Sequence, residues 1–332
     1  MSPPSRDPSA PFVAPRWLRN PHQQTLLANK PLRWPPAPPT VEGTLTLPDG
    51  DIVRVVRNKA SNAAQHSPIV VVLHGLAGGY ESAYARDLFS EFARSGLEGH
   101  LLHFRGCGGL LNRLPRGYHA GDTGDLAHYI KTLRSASPER PVYAVGYSLG
   151  ANVLLKHLGT TGLESGLDAA VAVSVPFRLE DACESISHGF ARLYHRVLLA
   201  RLKQLMRDKF SRDRAAAPFD LAALYRIRDL RTFDDRVTAP MHGFRNVEHY
   251  YRVSSCRQYL GGIRTPTLIL HAADDPFQSH AGIPPPRELA STVQLALSPH
   301  GGHVGFLQSS RSGWGWESWL APRIGAFLRR GE

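Results

Sequence analysis

The chain is predicted to fold as an α/β protein, a doubly wound, mostly parallel sheet carrying an inserted helical cap. Three observations predict it. Short, continuous apolar runs such as "SPIVVVLHG" (67–75) suit strands buried on both faces. Stretches with apolar residues at helical spacing alternate with those runs, as a doubly wound sheet requires. The alternation breaks once, from Phe177 to Gly262, where helical periodicity dominates and few strands can be found. At 332 residues and 42% hydrophobic, the chain can bury a core of this size. The expected organisation is an N-terminal arm (1–40), a core in two parts (41–176 and 263–332) and a cap (177–262).

The first 40 residues are expected to be an irregular arm ending in the Pro-rich "PLRWPPAPP". "GTLTLPDGDIVRVVR" (43–57) alternates around a Pro-Asp-Gly turn and reads as a hairpin. After the strand "SPIVVVLHG", Ala83 to Ser95 reads as a helix and "HLLHFRG" (100–106) as the next strand. A helix over Thr123–Leu133 is expected, with Asp122 placed to cap it. The strand Pro141–Val145 leads to a helix from Gly150, and "DAAVAVSVP" (168–176) is the last strand before the cap. Within the cap, "FARLYHRVLLARLKQLMRDKF" (190–210) is a helix. "RTPTLILHAADD" (264–275) and "STVQLALSPHGGH" (291–303) resume the strands, and "WESWLAPRIGAFLRR" (316–330) closes with an amphipathic helix.

Chemistry concentrates at "YAVGYSLGANVLL" (143–155), where Gly146 and Gly150 flank Ser148 in a G-x-S-x-G pattern. Placed between strand and helix, this pattern makes a strained elbow that lifts the serine hydroxyl out of the sheet. Acyl transfer also needs a base, a group to orient it, and oxyanion donors. On this architecture they follow in the order serine, acid, histidine. "HAADDPF" ends a buried strand and "SPHGGHVGF" ends the last one. Spacing selects Asp275, with Asp274 as the alternative that caps the turn or binds backbone amides. His303, in its Gly-flanked loop, is the base, with His300 as its competitor. The backbone amides of Leu149, after the serine, and Leu76, in the Gly-rich "HGLAGG" (74–79), are the candidate oxyanion donors.

Other polar residues receive structural readings. Arg105, in "FRGCGGLLNRLPRGYH" (104–119), orders its loop in preference to anchoring an acidic substrate group. Cys107 is a small buried apolar residue, with no base to activate it. His271, Asp274, Asp275, His300 and His303 lie near two strand ends but match no metal-ligand spacing, so neither a metal nor a cofactor is expected.

The net charge is +11, and only six of the 39 basic residues are lysine. No recognition helix or RNA-binding signature accompanies the arginines, so nucleic acid is not an expected partner. A non-catalytic basic scaffold on an anionic surface is the competing class, and the intact order of the three catalytic candidates argues against it. No apolar run reaches the roughly 18 residues a membrane span needs, although peripheral lipid contact is left open. A Pro-rich N-terminus without an apolar segment favours the cytoplasm. Three widely spaced cysteines agree with a reducing compartment. Oligomeric state is not readable.

From about Arg19 onward the chain resembles the YheT-like family of α/β-hydrolases, also described as the AB-hydrolase-4 or UPF0017 family. The resemblance rests on "RNPHQQTL", "HGLAGG", "HFRGCGG", "GYSLGAN", "FDDRVTAPMHGF", "YYRVSS", "HAADDPF" and "GGHVGF". It implies an α/β-hydrolase fold and a serine hydrolase in which Ser148, Asp275 and His303 form the charge relay. Bacterial members look like carboxylic-ester hydrolases, while eukaryotic relatives act on lipids or medium-chain acyl esters. The alternatives are transfer of the acyl group to an alcohol and a lipid-directed esterase or lipase. The cap helix offers Leu193, Val197, Leu198, Leu202, Leu205 and Met206 near one face, so a pocket for short-to-medium acyl chains is expected. The arm motif "NPHQQTL" has no readable chemistry, and Asn20 and His22 are expected only to tie the arm to the sheet.

Overall fold

A computed structural model describes residues 7, 10–30, 38–58, 67–310 and 315–329. Eight strands form one sheet in the order β1-β2-β4-β3-β5-β6-β7-β8. The hairpin β1 (Thr40–Thr46) and β2 (Ile52–Asn58) is antiparallel and joins β4 (Glu98–Leu102) antiparallel. From β4 onward every pairing is parallel, through β3 (Ile69–Leu73), β5 (Val142–Tyr147), β6 (Ala169–Val173), β7 (Thr267–Ala272) and β8 (Val293–Ser298). All residues of β3, β5, β6 and β7 are buried, as continuous apolar runs between two helical layers must be.

Period-two alternation divides each strand between two cores. Ile69, Val71 and Leu73 face α3 (Gly124–Ala136) and α4 (Leu149–Thr161), while Val70 and Val72 face α2 (Ala83–Ser95) and the C-terminal helix. Helix α2 ends at Gly96, whose φ of 71° is the left-handed conformation that stops a helix cheaply. From β3 the chain moves to one side, to β4, and then returns to the other side, to β5. The sheet thus reverses direction between β3 and β5, and a crevice opens at the carboxyl ends of those strands.

Between β6 and β7 the chain runs through α5 (Leu179–Ile186), α6 (Arg192–Lys209), α7 (Leu230–Phe233), a π-helical turn (Asp234–Thr238), α8 (Ala239–Met241) and α9 (Val247–Ser254), with no strand. This insert has its own apolar cluster, including Leu199, Leu202, Leu224, Ile227 and Phe233. The end of α6 is tied to the core by Lys209, whose Nζ donates to Asn112 Oδ1 and Leu114 O at 2.6 Å each. After β8 come β9 (Leu307–Ser309), β10 (Trp316–Ser318) and α10 (Leu320–Arg329).

Three expectations need correction. The arm is not wholly irregular: Pro21–Ala28 is a helix, α1, because Asn20 Oδ1 accepts from the amides of His22 and Gln23 and Pro21 suits the first turn. The Pro-rich residues 31–37 lie outside the described residues. Asp122 does not cap α3. Its carboxylate takes Arg116 at 2.6 Å, and the cap position belongs to Thr123. The closing segment is not helical throughout, since Trp316–Ser318 pairs antiparallel with Leu307–Ser309 before α10 begins.

Candidate active site

Ser148 stands at the turn from β5 into α4 with φ 52° and ψ −117°, a conformation L-residues rarely adopt. The flanking glycines are needed for contact. A Cβ on Gly146 would lie 2.5 Å from Gly150 O, and one on Gly150 would lie 2.5 Å from Leu73 O. Close packing of elbow, helix and β3 therefore excludes any side chain at either position.

His303 Nε2 accepts the Ser148 hydroxyl at 2.9 Å, and His303 Nδ1–H donates to Asp275 Oδ2 at 2.8 Å. Asp275 is buried and its Oδ1 accepts from the Phe277 amide at 2.8 Å, which fixes the carboxylate. The Phe277 ring stacks on the imidazole at 3.9 Å between centroids and 7° between planes. Asp274 and His300, the alternatives, pair with each other at 3.3 Å, and Asp274 Oδ1 accepts from the Gly302 amide. They brace the loop and do not contact the serine.

The loop after β3 is held by two tyrosine hydroxyls, Tyr84 accepting from Gly75 N and Tyr118 from Ala77 N, each at 2.9 Å. Burial pushes both phenols above the usual tyrosine range, so both stay protonated. Between the two bonded amides lies Leu76. Among the described residues, neither the Leu76 amide nor the Leu149 amide donates to a protein acceptor, and both residues line the cavity beside Ser148. His74, pushed down to about 4 by burial, is neutral. It donates to Gly75 O and accepts from Phe104 N, joining the ends of β3 and β4.

The arm motif is part of this construction. Thr25 Oγ1 donates to Pro21 O and accepts the His303 backbone amide at 2.9 Å. Gln24 Oε1 accepts from Leu307 N, and its Nε2 donates to Leu307 O and Leu18 O. Gly302 approaches α1 so closely that a Cβ would lie 2.4 Å from Pro21 O. Ser174 Oγ accepts from Val304 N at 2.9 Å on the other side of the same loop. His22 does not tie the arm to the sheet. It packs on Phe190 at 4.5 Å between centroids and beside Tyr194, both in the insert.

A cavity of about 1040 Å³ opens above Ser148. Leu193, Val197, Leu198 and Leu202 of α6 line it, whereas Leu205 and Met206 do not; both pack on the insert's cluster, and Leu205 on the main core as well. Arg105 points elsewhere: it is gripped by both Asp125 oxygens, by Asp49 and by Asp51, so it orders its loop. Burial pushes the Cys107 thiol up to about 12, which leaves no thiolate at neutral pH.

The sequence named Ser148, Asp275, His303, Leu76 and Leu149 as candidates, and the fold places all five around one point. Sequence reading missed Thr25, Gln24, Tyr84, Tyr118, Ser174 and Phe277. "NPHQQTL" was the one visible signal for two of these, and nothing in its spacing says which loop it grips.

Residues 68–310 match the α/β hydrolase fold family. YheT of Escherichia coli (strain K12), whose assignment as an esterase is itself provisional, is 42% identical over 90% of this chain and 88% of its own. A monoacylglycerol lipase of Saccharomyces cerevisiae is 32% identical over 81% of this chain, which spans 60% of that protein's length. The solved structure of the Pyrococcus furiosus esterase Pf2001 superposes with a TM-score of 0.57 over 97% of each chain at 16% identity, a likeness of fold. A G-x-S-x-G elbow at the sheet's reversal point, a histidine loop beyond its last strand and these matches converge on one assignment: the chain belongs to the α/β-hydrolase family, in its YheT-like branch.

Proposed function

We propose that this chain, an ester hydrolase like its relatives, cleaves carboxylic esters through an acyl-enzyme at Ser148. The observation that carries the reading is the unbroken relay from the Ser148 hydroxyl through His303 to the buried Asp275. Ser148 Oγ attacks the ester carbonyl carbon as its proton passes to His303 Nε2. The carbonyl electrons move onto oxygen, and the amides of Leu76 and Leu149 stabilise that charge. Asp275 orients His303 and stabilises the imidazolium. Collapse expels the alcohol, which takes the proton from His303. Water, deprotonated by the same imidazole, then releases the acid and restores Ser148.

The insert serves as the cap, and its α6 side chains make the cavity an acyl pocket. Short-to-medium acyl chains are preferred over acetyl, because each buried methylene contributes about 0.8 kcal/mol and two raise kcat/KM about tenfold. The names of relatives, a monoacylglycerol lipase among them, support acyl esters of this kind.

The test is kcat/KM across p-nitrophenyl esters from acetate to decanoate, with Ser148→Ala as control. A rise to a maximum near four to eight carbons is expected, and Ser148→Ala should lower turnover about 10⁴-fold or more. A series falling steadily from acetate would contradict the pocket. Undiminished turnover by Ser148→Ala would contradict the mechanism.

A further inference from the structure

The mouth of the cavity carries an apolar row that the described residues leave uncovered. Phe190, in the turn that starts α6, and Leu193 and Val197 on α6 are 51%, 49% and 47% exposed. Spacings of three and four residues put them on one face of the helix. Leu193 and Val197 also line the cavity, as does the exposed Leu26 of α1, and His22 of α1 packs on Phe190. The row is therefore a rim continuous with the pocket, shared by arm and cap.

Along α6 the charge has one sign as far as Asp208, while the carboxylates that line the cavity, Glu81 and Asp234, lie on other elements. No acidic residue occurs between Glu184 and Asp208, while Arg192, Arg196, Arg201, Lys203 and Arg207 all fall there. Arg192 and Arg196 sit in the first two turns of α6, exposed, with no carboxylate among its first residues. A helix N-terminus is the positive end of the backbone dipole, so cations there oppose helix stability. Their placement favours a negatively charged partner outside the chain.

We propose that the α6 face docks on a lipid surface bearing anionic headgroups, bringing the pocket mouth against the acyl layer. A basic helix with an apolar row is the form that lies in a membrane interface. An acidic protein or a nucleic acid would meet the arginines but has no use for apolar side chains that open into an acyl-sized cavity. An acyl chain leaving the bilayer would pass from the lipid to Leu193 and Val197 and on to Ser148 without crossing water. Among the described residues no helix is long and apolar enough to span a membrane, so the contact is peripheral.

The test is co-sedimentation of the full chain with vesicles of phosphatidylcholine alone or with 30% phosphatidylglycerol, beside a fluorescent 30-mer DNA titration. Binding to the anionic vesicles, weakened by 0.5 M salt, is expected, with weak binding to the neutral ones. Replacing both Arg192 and Arg196 by glutamine should lower the partition coefficient about thirtyfold, near fivefold for each arginine leaving an anionic surface. Phe190→Ser should lower it about tenfold. Turnover of a water-soluble ester monitors the active site separately, and neither change should alter it. Melting temperature should not fall in the arginine variant, because those cations oppose the helix dipole. No vesicle binding, undiminished binding by both variants, or DNA binding without vesicle binding would each overturn the proposal.

Discussion

Thr25 holds the histidine loop from a helix nearly 280 residues upstream, so its hydroxyl is expected to matter for chemistry before it matters for folding. Thr25→Val keeps the shape but removes the acceptor for the His303 amide. We expect kcat for a soluble ester to fall about tenfold to a hundredfold, KM to stay near its original value, and Thr25→Ser to restore most of the loss. Equal losses in Thr25→Val and Thr25→Ser, or a change confined to KM, would refute a positioning role. Gly150→Ala tests the elbow. Its Cβ would meet the backbone oxygens of Leu73 and His74, which cannot swing aside. A stability loss of about 1–3 kcal/mol in urea unfolding is expected, with activity falling as well. Local rules found Gly146, Ser148 and Gly150 because contact between neighbouring turns forces that spacing. The grip of Thr25 and Gln24 on the histidine loop is a long-range pairing, and no local pattern encodes it.

At the scale of elements, the buried strands were the most readable parts, because being covered on both faces leaves an uninterrupted apolar signature at β3, β5, β6 and β7. Helix α1 escaped because only eight residues long, with few apolar positions, it draws its order from the Asn20 cap and from Gln24. The β9–β10 pair escaped because three-residue strands carry too little pattern. The insert between β6 and β7 contains a titrating group that yields a prediction. Burial pushes Asp234 up to about 6, while Thr238 and Tyr251 hydroxyls donate to it. A folded-state carboxyl raised above its unfolded value binds its proton longer in the native state. Its contribution to stability is therefore full below about pH 4 and is lost as pH rises through about 6. Unfolding free energies of the parent and Asp234→Asn, measured from pH 4 to 7, should show the parent losing ground to the variant across that window. A constant difference between them would contradict it.

On the scale of the whole molecule, the reversal of the sheet between β3 and β5 brings the loop bearing Leu76 beside the elbow bearing Ser148. The last strand, β8, returns the chain so that His303 reaches the same point from the other side. Chain order alone was enough to propose this convergence, since the doubly wound topology puts every strand's carboxyl end on one edge. The shape of the pocket was less accessible, because it depends on which residues of α6 turn inward once the insert folds over the core. In the proposed mechanism His303 and Asp275 make the Ser148 hydroxyl nucleophilic. A fluorophosphonate probe followed by peptide mass spectrometry tests this most directly, because it reports the nucleophile without assuming a substrate. Stoichiometric labelling on Ser148 is predicted, lost in Ser148→Ala and slowed at least a hundredfold in His303→Ala. Folded protein that remains unlabelled, or is labelled at another residue, would rule out Ser148 as the nucleophile.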